Sequence, residues 1–129
     1  MATTSHRNPT SSELEILHVL WERGPSTVRE VHQTLSEKRP IGYTSVLKLM
    51  QIMTGKGTVR RNEEQRAHVY EAVQPAEKTK RELALDVLQR VFDGSASELM
   101  MHALSGRKAT KEEIDEMRRL LNEHERKTR

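Results

Sequence analysis

The sequence has no cysteine among its 129 residues. That excludes a disulfide framework, a thiolate metal site and a cysteine nucleophile. Aromatic residues are scarce, with one Trp, two Tyr and one Phe. With hydrophobic residues at 34% and charged residues at 32%, such a chain supports a small helical core, and chain pairing would relieve the shortage of apolar bulk. No apolar run approaches the ~20 residues of a membrane span. The opening MATTSHRNP has no apolar stretch of the secretory kind. A cytoplasmic protein with no membrane partner is expected.

Catalytic signatures are lacking too. The sequence has no Gly-rich phosphate loop, no nucleophile elbow and no paired acid cluster beyond helix-surface glutamates. Glu112, Glu113, Asp115 and Glu116 fall in the first turns of a C-terminal helix, where negative charge complements the helix dipole. The six histidines (His6, His18, His32, His68, His102 and His124) form no close pair at metal spacing; a site shared by His18 and His32 would need the fold to join them. Neither an enzyme, a metal nor a cofactor is expected. The net charge of +3 points only weakly to a polyanion, because net charge does not locate a basic patch.

What is present is a run of short helices with clear signals. Thr10-Ser-Ser-Glu13, Thr27-Val-Arg-Glu30 and Thr110-Lys-Glu-Glu113 each place a hydroxyl three residues before Glu, the capping-box pattern. The periodicity predicts helices over 11–22, 28–38, 43–55, 76–92, 96–104 and 111–124. Thr58–Asn62 and Arg66–Val73 read as two strands of a hairpin, with the polar turn Glu63-Glu64-Gln65 between them. Residues 10–73 form one expected domain and 75–124 a second, with 1–9 and 125–129 as flexible tails.

The helix over 43–55 has two faces. On a wheel of about 100° per residue, Val46, Leu49, Met50 and Met53 gather on one side, while Thr44, Lys48 and Gln51 fall within about 40° of the opposite direction. A shorter helix and a tight turn precede it, which is helix-turn-helix spacing. No carboxylate lies between Pro40 and Arg61, as a phosphate-rich groove would require. Lys48, Lys56, Arg60, Arg61 and Arg66 fall within nineteen residues. The pattern predicts a winged helix on double-stranded DNA. Thr44, Ser45 and Lys48 would touch base edges, with Gln51 deeper in the helix, and Arg60, Arg61 and Arg66 would lie over phosphates.

The C-terminal helices carry wide apolar surfaces, which need more than one neighbour. Leu83, Val87, Leu88, Val91, Leu99, Met100, Leu104, Ile114, Met117 and Leu121 are the expected dimerisation residues. The fold class expected is mainly α with a small β-hairpin wing: a winged helix-turn-helix plus a C-terminal helical dimerisation domain. The alternative is a winged-helix protein-interaction module without sequence-specific DNA binding, docked through its mixed-charge helices.

Several stretches together resemble the penicillinase-repressor family of winged-helix regulators. They are WERGPSTVREVH, the RPIGYTSV lead-in to the third helix, RAHVY in the wing and the Gly-Ser break in VFDGSASELM. The likeness runs from about Thr10 to Glu123. It implies repression of transcription by a homodimer on an inverted-repeat operator. Three departures stand out. Gln65-Arg66 occupies the wing turn where family members often have Gly-Arg. His102-Ala103 stands where β-lactam-responsive members carry the Asn-Phe bond cut by a membrane sensor protease. The cysteine motif of copper-responsive members is missing. Neither release route is carried over, so the inducing signal is left open.

Overall fold

The structure, a computed structural model, describes residues 8–64 and 66–128. Its element order is α1 (Ser11–Arg23), β1 (Ser26–Thr27), α2 (Val28–Ser36), α3 (Tyr43–Lys56), β2 (Val59–Asn62), β3 (Val69–Ala72), α4 (Ala76–Arg90), α5 (Ala96–Ser105) and α6 (Lys111–Lys127). The chain is mainly helical with a small antiparallel sheet, as the pattern predicts. It forms two compact units, one ending at Leu83 and one beginning at Ala84. The division falls inside α4, past the Pro75 at which composition changes.

Local chemistry accounts for the first unit. At the start of α1 the Thr10 hydroxyl accepts from the Glu13 amide, and the Glu13 carboxylate accepts from the Thr10 amide, at 3.2 and 3.1 Å. Thr27 and Glu30 repeat this reciprocal pair at the start of α2. The third box is only half made. The Thr110 hydroxyl accepts from the Glu113 amide at 3.0 Å, but the Glu113 carboxylate pairs with Arg107 instead. α3 stops at Gly57, whose φ of 84° is left-handed and suits glycine, and the chain turns directly into β2.

The sheet order is β1-β3-β2, all antiparallel. Two differences from the sequence reading appear here. The hairpin strands are shorter than 58–62 and 66–73, because Arg66, Ala67 and His68 belong to the loop. A third strand, β1, adds Ser26 opposite Tyr70 and Thr27 opposite Val69. Two residues after a proline are too few to show a period of two, so the sequence gives no strand signal there. Gln65 and residues 1–7 of the expected N-terminal tail lie outside the described residues. The expected C-terminal tail is corrected: α6 continues through 125–127, with Thr128 as its cap.

The core belongs entirely to the first unit. Ile16, Val31, Val46, Met50 and Met53 are fully buried, joined by Leu17, Leu20, Leu35, Val59 and Tyr70. Each such side chain stabilises the fold by about 1.5–3 kcal/mol. Trp21 packs half-buried against this cluster, and its indole N–H donates to the Gln74 carbonyl at 3.0 Å. The second unit differs. None of its described residues is buried. Of the expected dimerisation residues, Val91, Met100, Leu104, Ile114 and Leu121 are exposed, while Leu83, Val87, Leu88, Leu99 and Met117 are half-buried. An open groove of about 410 Å³ is lined by Leu99, Met100, Ala103, Leu104 and Met117 of α5 and α6. No described helix is long and apolar enough to cross a membrane.

Candidate nucleic-acid interface

α3 is positioned by its apolar side. Val46, Met50 and Met53 bury completely and Leu49 partly, which leaves Thr44, Ser45, Lys48 and Gln51 exposed. The two faces fall where a helical wheel puts them. The far end of α3 is pinned by Lys56, whose ammonium donates to both carboxylate oxygens of Glu13 at 3.1 and 3.0 Å. Glu13 is only 3% exposed, so this pair fixes α3 on α1 from within. The near end is held through the preceding turn. The His32 ring nitrogen Nε2 donates to the Ile41 carbonyl at 2.8 Å, and its ring meets Tyr43 edge-on at 5.7 Å.

The amino end of α3 is unlike that of the other helices. Its N-cap is Gly42, with no side-chain cap, and no acidic residue lies in its first turn. Side-chain hydroxyls cap α1, α2, α5 and α6, and each of these, like α4, carries an acid in its first turn. The first backbone N–H groups of α3 therefore lack both a cap and a local countercharge, which suits an external phosphate.

The predicted basic residues separate into two groups. In β2, successive side chains point to opposite faces of the sheet. Arg60 lies opposite Glu71 and binds it at 3.1 Å. Arg61 lies opposite Tyr70 and donates to Glu63 at 2.7 Å. The Tyr70 hydroxyl and then Glu63 raise the Arg61 pKa above the ordinary guanidinium value. These two arginines face opposite ways and already hold carboxylates. Lys48 and Arg66, by contrast, have no carboxylate partner among the described residues.

Beside α3 lies an open cleft of about 490 Å³, lined by Thr27, Val28, Arg29, Tyr43, Leu47, Arg66, Ala67, His68 and Tyr70. Arg29, Tyr43 and His68 were not among the residues the sequence pointed to. Arg29 stands off the Val28–Val31–Leu35 stripe and so reads as a surface residue. Only the return of the wing loop past α2 brings it beside Arg66. The two histidines that sequence spacing left open do not share a site. His18 meets Trp21 edge-on at 5.3 Å, whereas His32 serves the turn before α3. Among the described residues no group of three His, Asp or Glu could hold a metal ion. His102, at the position matching the family's cleaved bond, lies within α5 with its ring 5.7 Å from that of Phe92.

Comparison with known proteins agrees with this geometry. The family profile described as "Penicillinase repressor" matches residues 9–123. The transcriptional regulator BlaI of Mycobacterium tuberculosis, in strains CDC 1551 and H37Rv, is 33% identical over 115 residues, covering 88% of this chain and 82% of that protein. A solved structure of a single-residue mutant of Lactococcus lactis ZitR aligns with a TM-score of 0.42 at 16% identity, over 90% of this chain and 75% of that one. The profile match and the identity to BlaI together place the molecule among transcriptional regulators rather than enzymes: the chain belongs to the penicillinase repressor family.

Proposed function

We propose that the chain represses transcription as a homodimer bound to an inverted-repeat operator in double-stranded DNA. The observation that carries this reading is the exposed, acid-free face of α3 with its uncapped amino end. Two copies of α3 enter successive major grooves, about one helical turn apart. Thr44 and Ser45 are short donors at the helix start, and Lys48 is a cation one turn on; these three read bases or the backbone beside them, with Gln51 deeper along the helix. Arg66 holds phosphate. Arg60 and Arg61 contribute phosphate contacts only by exchanging their carboxylates, and because those pairs are exposed the exchange costs little.

The second unit supports the dimer. With no buried residue of its own and an apolar groove between α5 and α6, it leaves its hydrophobic side chains for a second copy. Occlusion of a promoter by the bound dimer is then sufficient for repression.

The test is fluorescence anisotropy on an operator selected from random duplexes and on its scrambled version. A preference of at least ~10³-fold is expected, with strong weakening as salt rises. Equal binding to both duplexes overturns the reading of α3 as a base reader. Binding indifferent to salt favours a protein-docking module instead.

A further inference from the structure

We infer that the cleft between α2, α3 and the wing loop is a built phosphate site, in which Arg29 and Arg66 grip the DNA backbone from two sides. The inference rests on the DNA-binding reading above and adds to it a contact that comes from α2. Arg29 is the second residue of α2 and Arg66 lies in the loop between β2 and β3, yet both line one cleft. Both are exposed, and neither has a carboxylate partner among the described residues. The cleft lining contains no acid at all. Elsewhere in this unit guanidinium groups are matched: Arg23 with Glu30, Arg39 with Glu15, Arg60 with Glu71 and Arg61 with Glu63. Two unmatched guanidiniums converging on one acid-free cleft repel each other unless an anion sits between them.

The position of the cleft selects the anion. It adjoins Tyr43 and Leu47 of α3, so when α3 lies in a major groove the cleft meets the sugar-phosphate strand at the groove's edge. Guanidinium recognises a phosphate through paired N–H donors, a geometry an ammonium cannot copy. The α2–wing cleft therefore sets how α3 sits in the groove: one wall belongs to the helix-turn-helix and the other to the wing.

The experiment uses the full chain and the selected operator, with binding measured across a salt series. Arg29→Ala and Arg66→Ala are each expected to weaken binding roughly five- to tenfold near 0.1 M salt and to reduce the salt slope by about one. Arg29→Lys keeps the charge, so it should restore the slope while recovering only part of the affinity. Lys80→Ala removes one positive charge from α4 and should change neither quantity by more than about twofold, since surface charges beyond a Debye length are screened. The inference is overturned if wild type shows a steep slope that Arg29→Ala and Arg66→Ala both leave intact. It is also overturned if Lys80→Ala flattens the slope as much as they do. If wild type itself binds DNA without salt dependence, the underlying DNA reading fails, a result distinct from either of these.

Discussion

Replacing Lys56 with Met tests how the reading helix is held. The ammonium of Lys56 lies 3.0–3.1 Å from both oxygens of Glu13. The side chain of Glu13 is 3% exposed and that of Lys56 is 29% exposed. Methionine keeps the stem of the lysine and removes only its charge. The carboxylate then stays buried with a single remaining donor, the Thr10 amide. Removing one partner of a buried pair costs about 3–5 kcal/mol. The carboxylate also sits in the first turn of α1, where the helix dipole returns roughly 0.3–1 kcal/mol, so a loss of about 3 kcal/mol is expected. Glu13→Gln should cost less, about 1–2 kcal/mol, because it leaves no charge buried, keeps an acceptor for the Thr10 amide, and lets the partly exposed ammonium turn to water. The double variant should be more stable than Lys56→Met alone, since no buried charge is left unpaired. Urea unfolding followed by Trp21, the only tryptophan and a neighbour of this core, gives the assay. With a slope of about 1–3 kcal/mol per molar for a small protein, the Lys56→Met midpoint should fall by about 1–2 M. A loss below about 1 kcal/mol, or a larger loss from Glu13→Gln than from Lys56→Met, would refute the reasoning.

Other outcomes follow from the same geometry. Lys48→Ala should cost about 1–3 kcal/mol on the selected operator if Lys48 reads a base, and a similar amount on every duplex if it meets only phosphate; anisotropy on matched and scrambled DNA separates these results. Met117→Asp places a charge in the α5–α6 groove and should shift equilibrium sedimentation toward the monomer while leaving Trp21 fluorescence unchanged, whereas an unchanged mass removes this groove from the interface. The Glu30 carboxyl is held below the ordinary value of 4.5, first by the Thr27 amide and also by Arg23; its contribution is full above pH 4.5 and is lost as pH falls through the lowered value. Thermal melts between neutral pH and about pH 3 should therefore show the gap between wild type and Glu30→Gln closing under acid. Three unmatched cations around α3 in each of two protomers, at about 0.9 counterion apiece, predict a salt slope near −5; engagement of Arg60 and Arg61 as well would bring it near −9.

How much of this was legible in the sequence depends on the range of the interaction. Thr10 with Glu13 and Thr27 with Glu30 sit three residues apart, so both capping boxes can be read directly and both form. The two faces of α3 follow from a period of 3.6, and Val46, Met50 and Met53 bury as that period requires. β1 gave no signal because its two residues become a strand only by meeting Tyr70 and Val69, more than forty positions later. The third box shows a local signal losing to a competing one: the Glu113 carboxylate takes the Arg107 guanidinium and leaves the Thr110 amide unserved. The end of α6 was placed too early because 125–127 carry no apolar residue to extend the stripe, yet the last turn of a helix needs only its backbone bonds and a cap.

Charge was the least legible property, and the reason bears on function. The sequence counts 22 basic and 19 acidic residues, and a basic cluster after α3 suggested Arg60 and Arg61 as phosphate contacts. Antiparallel register places Glu71 opposite Arg60, and the tight turn brings Glu63 to Arg61, so the densest run of arginine is substantially neutralised within the sheet itself. Arg29, which stands alone in sequence beside an acid, keeps its charge because Glu30 is committed to the Thr27 amide and to Arg23. A polyanion responds to unmatched charge rather than to the count of basic residues. The fold thus moves the effective positive potential off the wing strand and onto the cleft flanking α3, where an anion can bind without displacing any carboxylate.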